Sequence, residues 1–230
     1  GRTTLAGEGL QHQDGNSHVL ALSVPNLRAY DPAFAYELAI IIRDGIKRMY
    51  ENHEDVFYYL TVGNENYTMP NMPQRAGIEE GILRGLYKFQ ESPQKQAKLK
   101  VQIFGSGAIM NEAIAAATIL EEKYGVASDV WSVTSYKKLH DDAVETERWN
   151  GHHPESAPKK SFIEECLFEE SGVAVFASDY VKALPNSIAR WVKLPTSVLG
   201  TDGFGRSDGR KNLRDFFEVD ERYITLATLT

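Results

Sequence analysis

The sequence predicts an α/β fold built on a doubly wound, mostly parallel sheet. Short runs rich in β-forming residues recur along the chain, at residues 100–104, 128–133, 173–177 and 197–199. Helical patterns at 111–124 and around 181–191 lie between these runs, and the separations reach the dozen or more residues that a parallel crossover needs. Helices are therefore expected on both faces of the sheet.

The front of the chain predicts a loop, a helix and a strand. Residues 1–18 combine glycines with polar side chains and include His12 and His18. Asp31-Pro32 is a favourable helix start, and apolar residues at near-helical spacing extend the predicted helix to about Tyr50. Residues 56–62 (VFYYLTV) are expected to form a strand.

A domain boundary is expected between about Thr68 and Lys98, because residues 64–73 (NENYTMPNMP) interrupt regular structure. The prediction is a first domain over 1–68, a linker over 69–98 and a second domain over 99–230. In the second domain we expect helices at 111–124, around 181–191, and from Ser207 or Asp208 to Phe217, with Asp220 capping a further helix.

Composition narrows the class of function. The formal net charge of -7 argues against a nucleic-acid surface, which needs clustered Lys and Arg. The longest apolar runs are far shorter than the ~20 residues that span a bilayer. Cys166 is the only cysteine, so a reducing cytoplasm is the simpler expectation. Glu164 and Glu165 should raise its thiol pKa, which favours a packing role over a nucleophile.

Three sequence patterns look like ligand sites, but none has the residues or the spacing that such a site needs. Gly105-Ser106-Gly107 lacks the third glycine of a dinucleotide loop, whose place is taken by Met110. Residues 202–208 do not have the spacing of a calcium loop. His152-His153 are adjacent, so their side chains diverge, and no third ligand stands at metal spacing. We therefore assign no residue to cofactor or metal binding.

Long runs of the chain resemble the homodimeric type of pyruvate dehydrogenase, the decarboxylating first component of the bacterial complex and a member of the transketolase superfamily. These runs are GRTTLAGEGLQHQDGNSH, YDPAFAYELAIIIRDGIKRMY, NENYTMP, VTSYKKLHDDAVETERWN and VLGTDGFGRSDGRKNLRDFFEVD. The resemblance implies that residues 1–68 end a thiamine pyrimidine-binding α/β domain. It also implies that residues 99–230 form a transketolase-type C-terminal domain.

The resemblance implies that pyruvate is decarboxylated on thiamine diphosphate and that the acetyl group passes to a lipoyl arm of the acetyltransferase component. It also implies Mg²⁺ and a homodimer with a second copy. His12 matches the family's active-site histidine, and an imidazole suits donation or proton movement at the substrate's carboxylate or carbonyl oxygen.

The family's magnesium motif, GDG followed by Asn, and its activating glutamate have no match here. The chain alone is therefore expected to bind neither cofactor nor metal, to be inactive by itself, and to be the back part of a longer polypeptide. Two alternatives stay open: a non-catalytic dimerisation or docking module, and the C-terminal part of another transketolase-like enzyme. The role of His18 also stays open, between the site and a loop hydrogen bond.

Overall fold

The structure is a computed structural model that describes residues 1–94 and 96–230. Its strands form two sheets. The strands are β1 (Leu27–Tyr30), β2 (Phe57–Leu60), β3 (Tyr87–Gln90), β4 (Lys100–Gly105), β5 (Ala127–Ser132), β6 (Val173–Ala177) and β7 (Thr196–Leu199). The first two pair in parallel, and the other five have the order β3-β5-β4-β6-β7. Only β3 runs antiparallel to its neighbour within the five-stranded sheet described.

Helices connect the parallel strands and cover both faces of the larger sheet. The helices are α1 (Ser17–Ala21), α2 (Ala35–Ile46), α3 (Ile78–Arg84), α4 (Met110–Ile119), α5 (Tyr136–His152), α6 (Phe162–Cys166), α7 (Ala183–Ala189), α8 (Arg210–Phe216) and α9 (Glu221–Leu229). The architecture confirms the predicted α/β class with a mostly parallel sheet.

Alternation along β4 shows how the sheet divides the core. Ile103 points into a cluster with Met110 of α4 and Ile224 of α9. Phe104 points into the opposite cluster, where it stacks on Phe176 with ring centroids 4.1 Å apart. Since both faces are covered, the central strands are almost entirely buried, and apolar residues point to both faces of the sheet.

Two helices begin later than predicted. The helix expected from Asp31-Pro32 begins at Ala35, because the Glu37 carboxylate accepts the backbone N–H groups of Ala33 (2.6 Å) and Phe34 (3.0 Å). The helix expected from Ser207 or Asp208 begins at Arg210.

The longest helix, α5, was not predicted. Its sequence is strongly polar, and its buried side chains include only a narrow apolar stripe of Tyr136, Leu139 and Ala143. The stripe is enough because the Ser135 hydroxyl caps the helix by accepting the Lys138 N–H at 3.0 Å.

The range expected to be a linker, 69–98, contains α3 and β3, and β3 joins the larger sheet. Residue 95, within that range, lies outside the described residues. Among the helices described, none combines the length and apolar character needed to cross a membrane.

Candidate functional site

His12 lies at the end of a short 3-10 turn, Leu10–His12, and its side chain is exposed. The turn is closed by the His12 N–H, which donates to the Gly9 carbonyl at 2.9 Å. An exposed imidazole on a short turn can reach a substrate without displacing protein atoms. This placement is compatible with a proton-moving role.

The start of this loop is anchored to the end of β6. The Asp179 carboxylate accepts the Thr3 N–H at 2.8 Å, the Thr4 N–H at 3.2 Å and the Thr4 hydroxyl at 2.7 Å. Thr3 and Thr4 are buried, so these hydrogen bonds are shielded from water. The polar residues of the loop are therefore partly structural.

Asp14 organises the end of the same loop. Its carboxylate accepts the backbone N–H groups of Asn16 and Ser17, each at 3.0 Å, and the Ser17 hydroxyl. Burial alone would raise the pKa of this carboxyl, but these hydrogen bonds outweigh it and lower the pKa. A charged Asp14 therefore stabilises the start of α1.

His18 is buried, with 5% of its surface exposed. Its Nε2 lies 3.0 Å from the Thr61 hydroxyl, which donates to Asp31 Oδ1 at 2.7 Å. With the threonine proton committed to Asp31, Nε2 is the donor to Thr61. Burial lowers the pKa of His18, against the opposing effect of Asp31, and this favours the neutral imidazole. These contacts support the hydrogen-bonding role for His18.

A cavity of about 500 Å³ lies where the carboxyl ends of four parallel strands meet. Asp31 follows β1, Thr61 follows β2, Gly107 follows β4 and Asp179 follows β6, and all four line the cavity. Open α/β sheets bind ligands at this edge. His12 is not among the lining residues, although Asp14, two positions further along the same loop, is.

Sequence reasoning missed these cavity residues. Asp31 was considered only as a helix cap, and Thr61 only as part of a strand. In the structure each residue directly follows a strand, but Thr61 lies within the predicted run 56–62, and no strand was predicted before Asp31.

The cavity wall is acidic and partly aromatic. Asp14, Asp31, Glu65 and Asp179 contribute carboxylates, and Phe34, Tyr59, Tyr67 and Tyr180 contribute rings. Glu65 is paired with Arg214 at 2.5 Å, but no Lys or Arg is among the lining residues, so the other three carboxylates would repel a diphosphate. Within the described residues, no group of three or more His, Cys, Asp or Glu side chains could hold a metal ion. The part of the site built by this chain therefore does not fit magnesium diphosphate.

The structure also describes the surroundings of Cys166 and His153, two residues considered in the sequence analysis. Burial, opposed by Arg84 and assisted by Glu165, raises the pKa of the Cys166 thiol to about 12, in line with a packing role. The ring of His153 stacks on Trp149 with centroids 4.3 Å apart, and its Nδ1 lies 2.8 Å from the Trp149 carbonyl oxygen. That ring nitrogen is therefore occupied by its own helix.

Two family profiles match the chain. The pyruvate dehydrogenase E1 component middle domain matches residues 1–70, and the transketolase-like TK C-terminal domain matches residues 85–220. Among curated relatives, the pyruvate dehydrogenase E1 component of Pseudomonas aeruginosa is 52% identical over 230 residues, covering 100% of this chain and 26% of that protein. That of Escherichia coli K12 is 49% identical over 231 residues, covering 100% and 25%.

Solved structures show the same fold at lower identity. The transketolase of Campylobacter jejuni has a TM-score of 0.69 and 17% identity, over 98% of this chain and 29% of that one. A split-gene transketolase, described as an inactive β4 tetramer, has a TM-score of 0.62 and 18% identity, over 97% and 63%. The chain spans about a quarter of the length of the curated relatives that it matches. The chain belongs to the transketolase-like C-terminal domain family, and along its whole length it is similar to pyruvate dehydrogenase E1 components, the proteins that its motifs indicated.

Proposed function

We propose that this chain is a C-terminal portion of an enzyme that decarboxylates pyruvate on thiamine diphosphate and transfers the acetyl group to a lipoyl arm. The observation that carries the proposal is an identity of 52% to a pyruvate dehydrogenase E1 component over the full 230 residues. The activity would belong to a longer polypeptide, since the chain spans 26% of that relative.

In this proposal His12 donates a hydrogen bond, or moves a proton, at the carbonyl or carboxylate oxygen of pyruvate. Its exposure and its short turn support the assignment. An imidazole titrates near neutral pH, as a group of this kind requires. His18 is left out of the chemistry because its ring is buried and bonded to Thr61.

The remaining parts of the proposal concern the cofactors, the partners, the location and the domain limits. Thiamine diphosphate and Mg²⁺ would be held by other parts of the longer polypeptide or by a second copy, because the acidic cavity here does not suit them. We also propose that the enzyme is a homodimer, that its partner is a lipoyl-bearing acetyltransferase component, and that it is cytoplasmic. The domain limits of 1–68 and 99–230, joined by 69–98, also stand as a proposal.

The test is His12→Ala in the full-length polypeptide. We expect kcat/KM for pyruvate to fall by about 10² to 10⁴, the usual contribution of a proton-transferring side chain. Thiamine diphosphate affinity, measured by calorimetry, should stay unchanged. His152→Ala is the matched control, since His152 is also exposed but lies at the end of α5. Undiminished turnover in His12→Ala would refute the assignment and favour a non-catalytic dimerisation or docking role.

A further inference from the structure

The loop that carries His12, residues 1–16, contacts a second loop, residues 200–209, near the other end of the chain. The Gln13 side chain is buried, with 8% of its surface exposed. Its Oε1 accepts the backbone N–H of Arg206 at 2.7 Å. Gln13 therefore faces inward at the position directly after the exposed His12.

Further contacts join the residues before Gln13 to the second loop and to the start of α8. The Gly7 N–H donates to the Asp208 carbonyl at 3.0 Å. The Arg2 guanidinium donates to the Thr201 carbonyl, and Arg210 Nε donates to the Thr4 carbonyl at 2.6 Å. The contacts are spread along the loop, so it is held along its length and not at one point.

Gly205 allows the loops to approach this closely. A Cβ added at Gly205 would lie 2.6 Å from Gln13 Oε1, 3.0 Å from Gln13 Cβ and 3.2 Å from the Leu10 carbonyl oxygen. The nearest of these distances is far below van der Waals contact, so any side chain there would push the loops apart. The close approach is built into the backbone at this point.

We propose that Gln13 is the positioning residue for His12, and this inference rests on the proposed function. The Gln13 N–H donates to the Leu10 carbonyl at 3.3 Å and so ends the turn that carries His12. Holding the side chain of Gln13 at Arg206 restrains the backbone of residues 12 and 13, and so the position of the Cα atom that carries the imidazole. Displacements of about 1 Å can cost about 10²-fold in rate.

The experiment compares Gln13→Ala with Gln13→Glu in the full-length polypeptide. Glutamate keeps an acceptor oxygen for the Arg206 N–H, while its second oxygen replaces the Nε2 group that donates to the Leu5 carbonyl at 3.4 Å, so that long bond is lost and two oxygens face each other there. We expect Gln13→Ala to raise amide hydrogen exchange at Arg206 at least tenfold and to lower kcat at least tenfold, with KM changed less. Gln13→Glu should restore both quantities.

Two further variants distinguish the loss of this loop contact from a general folding defect. Gly205→Ala disturbs the same contact from the opposite loop and should reproduce the exchange and kcat changes. Glu8→Ala, at an exposed position in the same loop, should change neither.

The outcomes separate this inference from the proposed function. Unchanged exchange at Arg206 in Gln13→Ala overturns the inference, whatever the activity. Raised exchange with unaltered kcat also overturns it, provided that His12→Ala is impaired. If His12→Ala retains full activity, the proposed function fails first, and the positioning role fails with it.

Discussion

The carboxylate of Glu37 accepts a hydrogen bond from the Ser132 hydroxyl at 2.6 Å, which joins the first turn of α2 to the end of β5. Glu37 is fully buried and also accepts the Tyr87 hydroxyl at 2.6 Å. The N–H groups of Ala33 and Phe34 also donate to Glu37, so four hydrogen-bond donors surround this buried carboxylate. Burial raises the pKa of Glu37 although every hydrogen bond opposes the shift.

Removing this carboxylate should strongly destabilise the fold. Glu37→Ala leaves buried donors unpaired, each costing about 1–3 kcal/mol, and we expect a loss of at least about 3 kcal/mol in the free energy of unfolding. Denaturant titration followed by circular dichroism measures it. Glu79→Ala is the control, because its ion pair with Arg43 is exposed and should contribute less than about 1 kcal/mol. Equal midpoints for the two variants would contradict the prediction.

Glu112 should make stability depend on pH in the acid-to-neutral range. Burial and the neighbouring Glu221 raise its pKa to about 7, against the opposing charge of Arg214. Its pKa in the folded state lies above the unfolded value, so its stabilising contribution is full below about pH 4.5 and is lost as the pH rises towards 7.

Glu112→Gln keeps an acceptor for Arg214, which donates to Glu112 at 3.0 Å, but removes the titration. Between pH 4.5 and 7 the wild-type chain should therefore lose stability relative to the variant. Parallel curves of unfolding free energy against pH would show that Glu112 does not titrate in this range.

Gly107 should not tolerate a side chain. Its φ is +48°, and a Cβ would lie 2.8 Å from Asp31 Oδ2 and 2.9 Å from Oδ1. We expect Gly107→Ala to lower the free energy of unfolding by about 1–3 kcal/mol. Gly151→Ala, in α5 with nothing within 4 Å of the added Cβ, should raise it by up to about 1 kcal/mol. The pair is informative because the same substitution is expected to act in opposite directions.

Cys166 should react slowly in the folded chain. With a thiol pKa of about 12 in place of the usual 9.0, its thiolate fraction at pH 8 is about a thousandfold smaller than in the unfolded chain. Labelling with a chromogenic disulfide should therefore be at least about 100-fold slower in buffer than in denaturant. Comparable rates would mean that the thiol is accessible and ionised.

Much of the larger sheet was predictable because its strands are buried on both faces. Residues 173–177 form β6 with the predicted limits, since a short apolar run has few other places in a soluble fold. Helix α5 was missed for the converse reason: its stripe of Tyr136, Leu139 and Ala143 is too narrow to dominate a polar sequence.

The candidate site was less predictable because topology assembles it. Asp31, Thr61, Gly107 and Asp179 are up to about 150 positions apart in the chain, and only the packing of the carboxyl ends of two separate sheets brings them together. The family motif located His12, while the contact of its neighbour Gln13 with Arg206 links residues separated by 193 positions. Local patterns contain no information about such a contact.

The joining of the two loops also imposes an order on biosynthesis. A ribosome adds about 5–20 residues per second, so Arg206 emerges roughly 10–40 seconds after Gln13. Until then the turn that carries His12 lacks the partner that orders it. A nascent chain therefore completes its sheet-forming segments before the contact between the two loops, and a product truncated before residue 200 would contain His12 without the loop that contacts Gln13.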